Sequence, residues 1–154
     1  MNVKISYENS VKLMRIIIDF QFKATEENLI LPAKISYALH KNEKTLNKVY
    51  EEFEKYRLLL IDTYGKKDKK GKPILNEDGK YEIELEDKFQ EEFKNLCSRE
   101  TSITLHKFVK LDDAVEHMVG NQNTLNLLWN IIDTINNINL VNKKVKKEEL
   151  ITAE

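Results

Sequence analysis

The chain has 154 residues, of which 41% are hydrophobic and 33% are charged, with a formal net charge of -1 at pH 7. This length and composition suit one globular domain with a real core, and they exclude a disordered polar chain. The near-zero net charge argues against a nucleic-acid binder whose whole surface is basic. The single cysteine excludes an intrachain disulfide, and we therefore expect a reducing, cytoplasmic location.

The first part of the chain predicts a short strand followed by a helix. Apolar and polar residues alternate over residues 1–7, as expected of a half-buried strand. Helical spacing follows over about residues 10–23, with Asn9 or Ser10 as the N-cap. After a connection over 24–31, Pro32 fits the first turn of the next helix, where its missing N–H costs nothing.

The second helix, predicted over 32–64 and ended by Gly65 as a left-handed cap, has the clearest pattern in the chain. Its apolar residues recur at alternating steps of four and three, which is typical of a heptad-like seam. At 1.5 Å per residue the helix spans roughly 48 Å, so we expect it to form the centre of the fold. The seam consists of Ile35, Leu39, Asn42, Leu46, Val49, Phe53, Tyr56 and Leu60.

Asn42 is the one polar residue of this seam, and two interpretations of it are open. A single seam asparagine can fix register or partner choice. Alternatively it occupies a half-exposed position near the helix start, which is the interpretation we prefer. The seam itself can be intramolecular core, or it can join two copies of the chain as a homo-oligomer through residues 35–60.

The remaining sequence predicts a small sheet among helices. Residues 66–72 form a basic, flexible turn, and 74–85 predict a β-hairpin around Asp78-Gly79. We expect a helix over 87–97, a strand over 101–109, a short helix over 111–118 closed by Gly120, and a final helix from Asn123 or Thr124.

The expected fold class is therefore α+β and mostly helical. A long central helix packs with flanking helices and with a small antiparallel sheet, formed by the hairpin and one further strand. We expect a single globular domain over 1–140, followed by a charged C-terminal tail or helical extension over 141–154.

The sequence contains no pattern typical of catalysis, metal binding or cofactor binding. Its three histidines share no metal-ligand spacing, Cys97 has no adjacent base, and the glycines form no phosphate loop. We therefore expect a non-enzymatic protein without metal or cofactor. The lysines of 66–72 could contact nucleic acid or a nucleotide, although a solvated loop tip is the interpretation we prefer.

Aromatic and charged side chains beside the seam are the best candidates for contact with a partner protein. Tyrosine next to charge is a common composition of protein-binding surfaces, although a second packing face of a central helix looks the same. The predicted partner-binding residues are Tyr37, Asn42, Tyr50, Glu51, Glu54, Lys66, Lys67, Lys69, Lys70 and Lys72.

Short motifs along residues 1–135 resemble a known group of proteins. The motifs are Leu31-Pro32-Ala33-Lys34-Ile35-Ser36-Tyr37-Ala38, Lys41-Asn42, Ile61-Asp62-Thr63-Tyr64-Gly65-Lys66-Lys67-Asp68, Asp78-Gly79, Phe89 with Phe93, Ile103 to His106, and Asn123-Thr124. In these motifs the chain resembles a family of small proteins of unknown function from phages and prophages of Gram-positive bacteria. The resemblance implies a phage or prophage origin and brings no catalytic residues.

This origin leads us to expect a non-catalytic binding protein that inhibits a host defence system, of the anti-CRISPR or another anti-defence type, by protein–protein contact. Acidic side chains would then occupy the nucleic-acid channel of an effector. The candidates are Glu51, Glu52, Glu54, Glu82, Glu84 and Glu86. Two alternatives stay open: a virion structural or assembly protein (tail-associated or chaperone), and a sponge for a signalling nucleotide, which would need a pocket with lysine and tyrosine.

Overall fold

A computed structural model describes the backbone of residues 1–108 and 118–151, and the side chains of 1–108 and 118–138. Its elements in chain order are β1 (Asn2–Ser6), α1 (Tyr7–Glu26), α2 (Ala33–Tyr64), α3 (Glu86–Ser98), β2 (Glu100–Thr104) and α4 (Gln122–Ile151). Within these residues, four helices and a two-stranded antiparallel sheet confirm the mostly helical α+β class. The expected short helix over 111–118 lies outside the described residues, apart from Met118.

The first helix begins earlier than expected, because Ser6 is its N-cap. Ser6 Oγ accepts a hydrogen bond from the backbone N–H of Asn9 at 3.2 Å, whereas the buried Ser10 hydroxyl donates to the Tyr7 carbonyl at 2.8 Å. Tyr7 is therefore the first residue of α1 rather than part of the strand. Its ring centre lies 5.8 Å from that of Phe53, which joins the start of α1 to α2.

The seam of α2 faces the inside of this chain for most of its length. Its apolar residues between 35 and 53 are all buried, and they pack in one core with residues of α1, α3, α4 and the sheet. Tyr56 is 37% exposed and Leu60 is only partly buried. A homo-oligomer through residues 35–60 does not fit this packing, because a second copy would have to displace the intramolecular core.

The half-exposed position expected for Asn42 is wrong, since its side chain is 0% exposed. Its Nδ2 donates to the His106 carbonyl at 2.8 Å, and its Oδ1 accepts from the His106 N–H at 2.6 Å. Asn136 of α4 does the same for Phe108, with distances of 3.2 Å from N–H to Oδ1 and 3.1 Å from Nδ2 to the carbonyl. The side-chain amides of Asn42 and Asn136 thus take the place of a neighbouring strand. The backbone N–H and carbonyl groups of His106 and Phe108 are hydrogen-bonded although the sheet has ended.

The sheet consists of β1 and β2, with Val3 opposite Ile103 and Ile5 opposite Thr101. The expected hairpin is not part of it. Residues 65–85 instead form isolated antiparallel bridges at the end of α2, between Gly65 and Ile83, 67 and 73, and 75 and 81. The strand expected over 101–109 ends at Thr104, because side-chain amides take over the pairing of the backbone beyond it.

The last helix is tied to the first at its N-terminal end. The buried Thr124 hydroxyl donates to the Glu27 carboxylate at 2.7 Å, which also places a negative charge at the N-terminus of α4. The helix runs to Ile151, so the backbone of 141–151 is helical. None of the described helices is both long and apolar enough to cross a membrane.

The buried Tyr7 gives this fold a measurable pH dependence. Burial, and then the hydrogen bond to Glu52, raise the pKa of Tyr7 from 10.0 to about 12. Because the folded-state pKa lies above the unfolded value, Tyr7 contributes its full stability below about pH 10 and loses it as the pH rises through about 12.

We expect the free energy of unfolding of the wild type to fall by about 1–2 kcal/mol more between pH 10 and 12 than that of Tyr7→Phe. Urea unfolding at a series of pH values measures both slopes. Parallel slopes for the two proteins would show that Tyr7 is not the responsible group.

Candidate protein-binding surface

Residues 65–85, named here the distal lobe, lie at the C-terminal end of α2. Three backbone hydrogen bonds of 2.9 Å close the lobe in a ring: Lys66 N–H donates to the Glu82 carbonyl, Glu82 N–H to Ile74, and Ile74 N–H to Lys66. The Glu84 N–H donates to the carbonyl of Tyr64, the last residue of α2, at 2.9 Å. The lobe is thus fixed to the helix and adds a compact surface beyond the core.

Two similar turns form the outer part of the lobe. Asp68 Oδ1 accepts from the backbone N–H groups two and four residues later, at 2.8 and 2.9 Å, and Asn76 Oδ1 does the same at 3.0 and 2.9 Å. Gly71 and Gly79 provide the positive φ angles of 76° and 74°. The basic turn expected to be flexible is therefore a hydrogen-bonded turn, and the pattern Asp/Asn-x-x-Gly-Lys recurs after eight residues.

Gly65 begins the lobe, but it is not the left-handed cap that we expected. Its φ is -74° and its ψ is 146°, and its N–H donates to the Ile61 carbonyl at 2.7 Å. Glycine is needed for space rather than for φ, because a Cβ atom would lie 2.3 Å from that carbonyl oxygen.

The predicted lysines of the lobe fall into two groups. Lys66 is paired with Glu82 at 3.1 Å, and Lys67 is paired with Asp62 at 3.4 Å. The others are exposed and make no ion pair among the described residues; they are Lys69, Lys70 and Lys72.

The structure joins Tyr50 and Glu54 to two residues that the sequence did not indicate. Arg57 Nε and Nη2 each donate to one oxygen of the Glu54 carboxylate at 2.8 Å. The pKa of Arg57 is raised by this hydrogen-bonded pair, and to a smaller extent by the nearby Tyr50 and Tyr81. A partly exposed arginine with two tyrosines nearby has the composition of residues that dominate binding energy at interfaces.

Exposed apolar side chains are concentrated at this end of the molecule. Of the eleven large hydrophobic residues exposed in the described part of the chain, six lie between residues 56 and 85. They are Tyr56, Leu58, Leu59, Leu75, Tyr81 and Leu85. The run Leu58-Leu59-Leu60 is a sequence signal for this, since consecutive helical residues point roughly 100° apart and cannot share one core face.

Acidic residues surround one of these side chains. Leu85 is 49% exposed and lies in a shallow depression of about 420 Å³, together with Glu84, Glu86, Asp87 and one lysine, Lys88. Glu51, on α2, is also exposed and accepts a hydrogen bond from Asn47 at 3.2 Å. The name distal surface is used below for three groups of residues. They are the six exposed apolar residues, the cluster of Tyr50, Glu54, Arg57 and Tyr81, and the acidic residues Glu84, Glu86 and Asp87.

Tyr37 and Asn42, two further predicted contact residues, lie in the first half of α2 and outside the distal surface. Tyr37 is 54% exposed near the N-terminal end of α2, and its ring is roughly perpendicular to that of His106. Asn42 is buried, and both ends of its amide are bonded to the backbone of His106. Asn42 is therefore a residue of the fold and offers nothing to a partner.

The described residues contain no group of three or more His, Cys, Asp or Glu side chains that could hold a metal ion. Burial raises the pKa of the Cys97 thiol, and the nearby Glu8 raises it further. The protonated thiol that this favours is a poor nucleophile. Cys97 therefore has the environment of a structural residue at the end of α3.

Comparisons with protein-family models, with curated proteins and with solved structures found no match to this chain. The distal surface is accordingly interpreted from its own geometry and charge.

Proposed function

We propose that this chain is a non-catalytic binding protein that contacts another protein through the distal surface. The observation that carries the proposal is the group of six exposed apolar side chains on and beside a lobe outside the core. Apolar groups left in water favour association, and such a group with a charged rim is typical of an interaction site. The Tyr50–Arg57–Tyr81 cluster adds the residue types that anchor interfaces.

Charge favours a basic partner. Residues 51–64 contain four acidic and two basic side chains, and residues 82–92 contain six acidic and one basic, whereas residues 65–81 between them contain three acidic and six basic. Some of these acids are neutralised within the chain, as Glu54 is by Arg57, but Glu84, Glu86 and Asp87 make no ion pair among the described residues. An acidic rim steers association toward a positively charged surface.

The resemblance to phage and prophage proteins supports a host defence protein as the partner, with the chain acting as its inhibitor. An effector that binds nucleic acid has a basic channel, which the acidic rim and exposed leucines would cover. A virion assembly role is the alternative, and it has less support because most of the α2 seam is already buried within one chain.

The experiment compares wild type, a Leu59→Ser/Tyr81→Ala double variant, and a Phe22→Ala control. Phe22 is 61% exposed, as Leu59 is, but lies on α1. We expect wild type and the control to recover a defence component from host lysate and to raise phage plating on a defended strain. The double variant should lose at least about tenfold in both assays, because removing anchoring side chains weakens an interface most.

Two results would count against the proposal. One is unchanged plating with wild type when no defence component is recovered. The other is equal activity of the double variant and wild type. Incorporation of the chain into purified virions would favour the assembly role instead.

A further inference from the structure

The charge distribution along α2 is not explained by the stability of the helix. Residues 33–50 contain four lysines and one glutamate, whereas residues 51–64 contain four acidic and two basic side chains. The helix macrodipole favours the reverse order, with acids near the N-terminus and bases near the C-terminus. Only Lys34 lies in the first turn, where it opposes the macrodipole, so the lysines of the first half gain no stability from the dipole of the helix.

A groove lies beside this basic half, between α2 and the segment that follows β2. Its volume is about 330 Å³, and its described lining contains lysine, histidine and threonine but no acidic residue. The lining residues are Met1, Tyr37, Lys41, Thr45, Thr104, Leu105, His106 and Lys107. The one carboxylate of residues 33–50, Glu43, accepts a hydrogen bond from Gln21 of α1 at 3.0 Å and is not part of the lining.

The groove is built on rigid parts of the fold. Tyr37, Lys41 and Thr45 follow one another at successive turns of α2. The backbone of His106 is held by two hydrogen bonds with the buried Asn42, which donates one and accepts the other. The backbone positions from which the side chains of the groove project are therefore set before a ligand binds.

Tyr37 supplies an aromatic surface in the groove. Lys41 Nζ lies 5.4 Å from the centre of its ring, and the His106 ring meets it edge-on, at 5.4 Å and 83°. The tyrosine nevertheless stays 54% exposed. An exposed aromatic ring beside a lysine is a combination used by proteins that stack nucleobases and neutralise the adjoining phosphates.

We propose that this groove binds a nucleoside phosphate, either free or within a single strand. Lys41 and Lys107 contact the phosphate, and the base stacks on Tyr37. This places phosphate recognition in a groove whose described lining has no acid. In residues 66–72, by contrast, Lys66 and Lys67 are ion-paired, and the exposed lysines share their turn with Asp68. The site is separate from the distal surface, so either one can fail without the other.

Fluorescence anisotropy with labelled decathymidylate, and competition by adenosine monophosphate, test the proposal at several salt concentrations. We expect the Lys41→Gln/Lys107→Gln variant to bind at least about tenfold more weakly and with a smaller salt slope, by about 0.7 for each phosphate that is no longer neutralised. Tyr37→Ala should bind about tenfold more weakly with the slope unchanged, because it removes stacking and no charge. The matched control, Lys69→Gln/Lys70→Gln, removes two lysines of the lobe and should bind as wild type does.

Displacement of the probe by adenosine monophosphate identifies a free nucleotide as a sufficient ligand, whereas binding of the strand alone identifies single-stranded nucleic acid; both support the groove. Three results overturn it. The first is that neither the labelled strand nor adenosine monophosphate binds. The second is that the lobe control binds the probe as weakly as the Lys41→Gln/Lys107→Gln variant does. The third is that polyglutamate displaces the probe as effectively as the nucleotide does. Circular dichroism of each variant confirms that the fold is retained.

Discussion

Replacing Asn42 by leucine is expected to lower the free energy of unfolding by about 3 kcal/mol. Leucine has a similar volume, but it cannot pair with the N–H and the carbonyl of His106, which Asn42 binds at 2.6 and 2.8 Å. Each backbone group left unpaired in a buried position costs about 1–3 kcal/mol. Urea unfolding followed by circular dichroism measures the loss.

Asn47→Ala is the matched control on the same helix. Its amide donates to Glu51 at 3.2 Å on the exposed face, so this variant should change stability by less than about 0.5 kcal/mol. Asn136→Ala should fall between the two, because Asn136 pairs the backbone of Phe108 in a partly buried position. If Asn42→Leu were as stable as the control, the amide would not hold the segment after β2.

Replacing Phe53 by alanine is expected to lower the free energy of unfolding by about 3–5 kcal/mol. The Phe53 ring lies 5.8 Å from that of Tyr7 in α1 and 6.1 Å from that of Phe93 in α3, so it joins three helices. Phe93 in turn stacks on Phe89 at 5.7 Å. The variant should therefore loosen α3, which hydrogen exchange of the α3 amides detects.

The same variant tests whether the α2 seam packs within one chain or joins two copies of it. If the seam is intramolecular, the unfolding midpoints of wild type and Phe53→Ala do not depend on protein concentration. A midpoint that rises with concentration in wild type, and is less sensitive in the variant, would mean that the seam joins two copies. Phe22→Ala, at an exposed position of α1, should cost less than about 0.5 kcal/mol.

The boundaries of α2 were predictable because the signal is dense and local. Apolar residues at helical spacing, with Pro32 before them and Gly65 after them, predict 32–64, and the helix spans Ala33–Tyr64. The start of α1 was predicted at the wrong residue: Asn9 or Ser10 was expected to cap the helix, whereas the N-cap is Ser6. With Ser6 as the N-cap, Tyr7 is the first residue of α1, and its ring packs against that of Phe53, which is far away in the sequence.

The role of Asn42 was not predictable, because it depends on a hydrogen-bond partner 64 residues away. Nothing in the local pattern distinguishes a buried, satisfied asparagine from a half-exposed one. The composition of the sheet was missed for a similar reason: strand pairing between residues 2–6 and 100–104 is a long-range contact.

The distal surface was found in part. Composition indicates Tyr50 and Glu54, whereas Arg57 and Tyr81 come near each other only once the lobe has folded back on α2. Two sequence signals indicate this surface: three consecutive leucines on one helix point to exposed apolar side chains, and a turn pattern repeated after eight residues points to the lobe. Asp78-Gly79 alone suggested a hairpin, while the repeat indicates two turns and a three-segment lobe.

Partner contact through the distal surface is tested most directly by quantitative co-purification from host cells. The amount of the recovered partner is compared between Leu59→Ser/Tyr81→Ala and Phe22→Ala, which alter exposed apolar positions on different elements. We expect the double variant to retain less than about a tenth of the partner bound by wild type, and Phe22→Ala to retain nearly all of it. Equal retention by both, or selective loss with Phe22→Ala, would contradict binding through the distal surface.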